Sequence, residues 1–156
     1  MSFLNWLAST ALVNWLITTS WVYPWVISFH SIGMGFLVGI IFVIVLRVFG
    51  LLSFPLAPLE RFLFVVQIAF GVSLLTGITL FIIDAEHFFF SPTFRIKMLL
   101  IVLGAIMGLI LTRMIFGTGP AGPPSADSGK AKVVAGLTFV CWAGAIFAGR
   151  LTAYLP

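Results

Sequence analysis

Four stretches of the chain are apolar almost without interruption: Trp21 to Leu46, Phe62 to Ile83, Met98 to Phe116 and Val133 to Leu155. Each holds about 20 residues or more, the length that crosses a hydrocarbon core as a helix. No strict alternation of polar and apolar positions runs through them, which argues against a barrel. Backbone polar groups in lipid must be satisfied within their own segment, and a helix does this. The pattern predicts an all-α integral membrane four-helix bundle, with spans near 21–46, 61–88, 94–116 and 132–154.

Residues 1–20 follow another rhythm. Asn5, Ser9, Asn14 and Thr18 recur every four or five positions among Phe3, Trp6, Leu7, Leu12, Trp15 and Leu16. A helix with this narrow polar stripe suits the membrane interface. A signal peptide is the rival reading, but the stretch lacks the basic residues its n-region needs. The expected organisation is an interfacial amphipathic helix over 1–20 and a transmembrane domain over 21–156. Trp21, Tyr23 and Trp25 supply an aromatic belt where the first span begins.

The connections differ in character. Residues 47–61 contain Pro55 and Pro58, which predict an interruption of helix there. Residues 84–97 are short and aromatic, with Phe88, Phe89 and Phe90 ahead of Ser91 and Pro92. Residues 117–132 are rich in Gly, Pro and Ser and read as a solvated loop.

Composition sharpens the picture. Hydrophobic residues make up 62% of the 156 and charged residues 8%, against roughly 25% charged in a soluble domain. Mean hydropathy is +1.24. So few charges leave too little polar surface for a soluble enzyme or a nucleic-acid binder. The single cysteine, Cys141, excludes an intrachain disulfide and a CxxC motif. The formal net charge of +4 comes from Lys and Arg at the ends of apolar runs, where they report topology. Arg47, Arg61, Arg113, Lys130 and Lys132 fall on one side; Arg95, Lys97 and Arg150 fall on the other. The positive-inside rule places the first group in the cytoplasm of a bacterial inner membrane, with both termini outside.

His30 is the first candidate for chemistry. It lies roughly 15 Å below the start of the first span, and an ionisable group at that depth is a candidate functional site. The bland alternative is a neutral imidazole hydrogen-bonded to a neighbouring helix. Gly33, Gly35 and Gly39 follow it, and glycines beside a histidine leave room for a flat macrocycle or for another helix. Met34 follows His30 by four residues, and imidazole with thioether would suit copper. Against this, methionine is an ordinary packing residue. The 84–97 connection adds Asp84, Glu86, His87, Arg95 and Lys97. It reads either as an interfacial loop anchored by its phenylalanines or as the mouth of a site. Arg95, Lys97 and Arg150 are the cations that haem propionates would need. His87 is the candidate opposite ligand, but it is only about 6 Å from the helix end and so too shallow to face His30. Gly35/Gly39 and Gly104/Gly108 have the spacing of helix-packing faces, so a homo-oligomer or a partner membrane subunit is expected.

A histidine early in the first span, Gly35 and Gly39 after it, Leu46–Arg47 at its exit, Thr76–Gly77 in the second span, and Phe94 with Lys97 leading into the third form a pattern. It resembles a family of small bacterial four-helix membrane proteins with no assigned activity. The resemblance covers residues 21 to about 116 and does not require His87. More distantly, the chain is similar to CopD-type copper-resistance membrane proteins and to HemJ-type protoporphyrinogen oxidases. The latter bind haem b in a helical bundle, so the resemblance implies haem b or copper at His30.

Three functions follow as expectations. One is a haem b protein moving electrons between a quinone or a partner subunit and the outer side, with His30 as axial ligand. Another is copper handling through His30, Met34 and His87. The third is a non-catalytic membrane subunit. No paired carboxylates and no nucleophile–base pair are visible within the spans, so no catalytic residue is assigned.

Overall fold

The computed structural model of the chain describes residues 10–55, 57–117 and 128–152. These residues form six helices: α1 (Ala11–Thr18), α2 (Val22–Val48), α3 (Ala57–Ile83), α4 (Ala85–Phe90), α5 (Pro92–Phe116) and α6 (Gly129–Leu151). The chain is all-α, and α2, α3, α5 and α6 are each long and apolar enough to cross a membrane. The interfacial segment expected over 1–20 is described only from residue 10. There α1 buries Val13 and Leu16 and leaves Trp15 and Ile17 exposed.

The ends of the helices follow from local chemistry. The α2 helix stops at Gly50, whose φ of +78° is open to glycine without steric cost. The Gly50 N–H donates to the Arg47 carbonyl and the Leu51 N–H to the Leu46 carbonyl, a Schellman closure that satisfies the last orphan acceptors. The Arg47 side chain folds over the turn, its Nε–H donating to the Phe54 carbonyl at 2.6 Å. The interruption expected within 47–61 falls between Val48 and Ala57; Pro58 itself occupies the first turn of α3, where a missing N–H leaves no bond unmade. The span expected over 61–88 ends instead at Ile83. Asp84 leaves the helical region (φ −137°, ψ 54°), and α4 starts beyond it. Ser91 caps α5, accepting from the Phe94 N–H, and Ser128 caps α6, accepting from the Ala131 N–H.

The four long helices pair as two hairpins. The α2 helix packs along α3 and α5 along α6, while a smaller α2–α6 seam joins the pairs; α3 and α5 barely touch. Leu37, Ile41, Ile44, Val45 and Val48 of α2 meet Leu111 and Ile115 of α5 and Ala131, Ala135 and Trp142 of α6 in one core. The outward faces carry large exposed side chains such as Phe36, Phe64, Leu75, Val102 and Phe147. In water that would be untenable; against lipid tails it costs nothing. Hydroxyls in the spans mostly bond to the carbonyl one turn back, as Ser28, Ser31, Thr79 and Thr138 do, which lets them sit in an apolar medium.

Candidate functional site

His30 sits on the α3-facing side of α2 and is half-buried. Its Nδ1 is 3.0 Å from the Ser73 carbonyl oxygen and 3.0 Å from Thr76 Oγ1. The single hydroxyl proton of Thr76 already goes to the Val72 carbonyl, at 2.6 Å. A carbonyl only accepts, so Nδ1 carries the ring proton and shares it between the two oxygens. The neutral ring then keeps the lone pair on Nε2, which makes no hydrogen bond among the described residues. A histidine whose Nδ1–H is held by a backbone carbonyl has its tautomer and ring plane set, as in many metal-ligating histidines.

Two glycines make this approach possible. A Cβ on Gly33 would stand 2.6 Å from Ser73 Oγ and 3.1 Å from the Ala69 carbonyl, so the backbones can close only because it is absent. A Cβ on Gly77 would stand 3.2 Å from His30 Cε1, so the imidazole lies in the space that Gly77 leaves. Gly35 and Gly39 are elsewhere. They follow His30 by five and nine residues, about 140° and 180° round the helix. Both are exposed, with no atom within 4 Å of a built Cβ. They do not flank the imidazole.

Of Arg95, Lys97 and Arg150, Lys97 is the least exposed. Its side chain lies half-buried across α6, its Cε 3.4 Å from where a Gly149 Cβ would stand. No ion pair engages it among the described residues. Arg95 is exposed and turned towards α4, its Nε–H donating to the Phe89 carbonyl at 3.3 Å and its guanidinium 6.0 Å from the Phe89 ring. Arg150 is exposed at the end of α6. Met34 is half-buried and packs against the common core. His87 is exposed on α4 with its ring edge-on to Phe88. No group of three or more His, Cys, Asp or Glu residues that could hold a metal forms among the described residues. His30 and His87 therefore belong to no such group.

Ser73 is the partner that attention to single residues misses; Thr76 and Gly77 already stood together in the pattern of the second span. The signal is present: Ser73, Thr76 and Gly77 share one face of an apolar helix at i, i+3 and i+4. They also lie about 10–15 Å from the end of α3, level with His30 in an antiparallel hairpin.

The geometry defines a multi-pass membrane bundle with an oriented histidine at the interface of its first two spans. No family model matches this chain, and no curated protein or solved structure is detectably similar to it.

Proposed function

We propose that His30 is the axial ligand of haem b iron and that the protein carries electrons at the outer side of a bacterial inner membrane, exchanging them with a quinone or a partner subunit. The observation that carries this reading is the Nδ1–H bond to the Ser73 carbonyl, which leaves Nε2 free to act as a lone-pair donor. Bound haem would supply a one-electron couple whose potential the protein sets through burial and hydrogen bonding. This chain's residues then have separate tasks. Ser73 and Thr76 hold the imidazole, Gly77 gives it room, and Lys97 offers an unpaired cation to a propionate. Met34 packs against the core and His87 is exposed, so any further ligand to the iron would have to come from a partner chain.

The test compares wild type and His30→Ala, each purified from membranes in the presence of haem. Wild type shows a Soret band and the variant loses it while keeping its helical content. A wild type without haem, or a variant with an unchanged spectrum, overturns the reading. Copper without a Soret band would instead support a copper-handling protein.

One observation favours a second reading, a non-catalytic subunit. The His30 bonds already satisfy Nδ1 and tie α2 to α3, as a purely architectural histidine would. On that reading His30→Ala weakens the bundle by about 1 kcal/mol, and neither protein carries a metal.

A further inference from the structure

Where α5 ends and α6 begins, a groove of about 450 Å³ lies on the surface of the second hairpin. Met114 of α5 and Gly129, Lys130, Val133 and Val134 of α6 line it, so that among the described residues its lining is apolar except for Lys130. Its depth follows from the helices. Met114 and Lys130 each stand about 15 Å from the midpoint of their own helix at 1.5 Å per residue, and Val133 and Val134 about 9–11 Å. The hydrocarbon core extends about 15 Å to either side of its centre. With the helices centred in it, the groove begins at the hydrocarbon edge and runs about 5 Å inwards.

The rim is cationic and lacks counter-ions. Lys130 is exposed, and its ammonium has no ion pair or hydrogen bond among the described residues. Arg113, next to Met114, and Lys132, next to Val133, are exposed and equally without partners there. Their long stems can carry the charges outwards to the membrane surface. Neither α5 nor α6 contains an Asp or Glu. Asp127 lies outside the described residues; with it counted, residues 113–132 hold three cations and one acid, a formal +2.

Apolar walls below the hydrocarbon edge and positive charge at it fit an amphiphile with an acyl chain and an anionic head. A phospholipid brings both at these depths, since its phosphate lies just outside the hydrocarbon. Cations clustered at this level attract anionic lipids. A zwitterionic headgroup would add its own ammonium to three protein cations, a like-charge contact that disfavours it. We infer that the α5–α6 groove binds an anionic phospholipid, with an acyl chain against Met114, Val133 and Val134 and the phosphate on Lys130, Arg113 and Lys132 standing by. This site is independent of the haem reading and of which end faces the cytoplasm.

The experiment places the full chain in phosphatidylcholine nanodiscs with a small fraction of phosphatidylglycerol that carries a diazirine on its acyl chain near the glycerol. Phosphatidylcholine with the same diazirine is the control, and labelled peptides are located by mass spectrometry. Phosphatidylglycerol is expected to label residues 114–116 and 129–134 at least fivefold more than the control. Lys130→Gln lowers that preference about fivefold, the worth of one cation near an anionic surface, and Lys130→Arg retains it. Val133→Trp fills the groove from an exposed position and lowers the labelling with helical content unchanged; where it fails to fold, Met114→Phe does the same from the other wall. Equal labelling by the two lipids, a preference that survives Lys130→Gln, or label concentrated elsewhere overturns the inference. A disulfide between Ala121→Cys and Val133→Cys would show that the chain's own connection fills the groove. One between two copies of Val133→Cys would make it a protein interface, and either result overturns the lipid site. Labelling is repeated with His30→Ala: a preference kept in a protein without haem upholds the lipid site while the haem reading fails, and haem binding without the preference does the reverse.

Discussion

Where α2 meets α3, the backbones close around polar atoms: the imidazole of His30, the Ser73 carbonyl and the Thr76 hydroxyl, with Gly33 and Gly77 making the space. Where α5 meets α6, they close around an indole. Gly104 lies against Trp142 and Cys141, Gly108 faces Thr138, and Ala135 and Ala145 are fully buried. Both interfaces use small residues, as helix pairs in lipid do. The first spends them on positioning a titratable side chain and the second on seating a large apolar one. Close approach is therefore a shared means, and the group it accommodates distinguishes a candidate site from a scaffold.

The comparison can be broken most severely on the scaffold side. Trp142 is the largest fully buried side chain among the described residues, and Trp142→Ala should cost about 3–5 kcal/mol, read as a fall in the detergent midpoint of unfolding. A loss below 1 kcal/mol would mean that the α5–α6 seat is not the anchor of the bundle. Gly33→Leu tests the other interface. Its side chain would meet Ser73 Oγ and the Ala69 backbone, and overpacking of this kind costs about 1–3 kcal/mol. It should also displace His30 and alter any cofactor spectrum; a normal spectrum with lowered stability would separate the glycine contact from the site. The smallest effect belongs to Gly39→Leu. That position is open on the outward face, so a monomer should change by less than about 0.5 kcal/mol. A shift in assembled size on a native gel would show instead that this face meets a second protein.

The spans were legible because lipid imposes one rule on every residue of a crossing helix, and the four apolar runs obey it. Their ends were less so. The break expected around Pro55 and Pro58 is there, between Val48 and Ala57, and the second apolar run stops at Ile83 as the helix does; what misled was carrying the span past Asp84 to residue 88. For the site, the depth of His30 was readable and its orientation was not. Counting 100° per residue puts Gly35 and Gly39 behind the imidazole, so their nearness in sequence misled. The glycine that matters, Gly77, is on the next helix. Gly104 and Gly108 likewise read as a surface for another chain, but they are spent inside this one, against α6. GxxxG spacing says that something comes close, and only the fold says what.

The pairing of chain neighbours also bears on how the protein is made. The hydrogen bonds of His30 need nothing beyond Ile83, because both of their partners lie in α3. Ribosomes add about 5–20 residues per second, so the stretch from α4 to the end of α6 takes roughly 3–14 s to emerge. Lys97, on α5, follows Ile83 by 14 residues, roughly 0.7–3 s of synthesis, in which the first hairpin can insert and orient its histidine. The order of synthesis therefore sets His30 in place before Lys97.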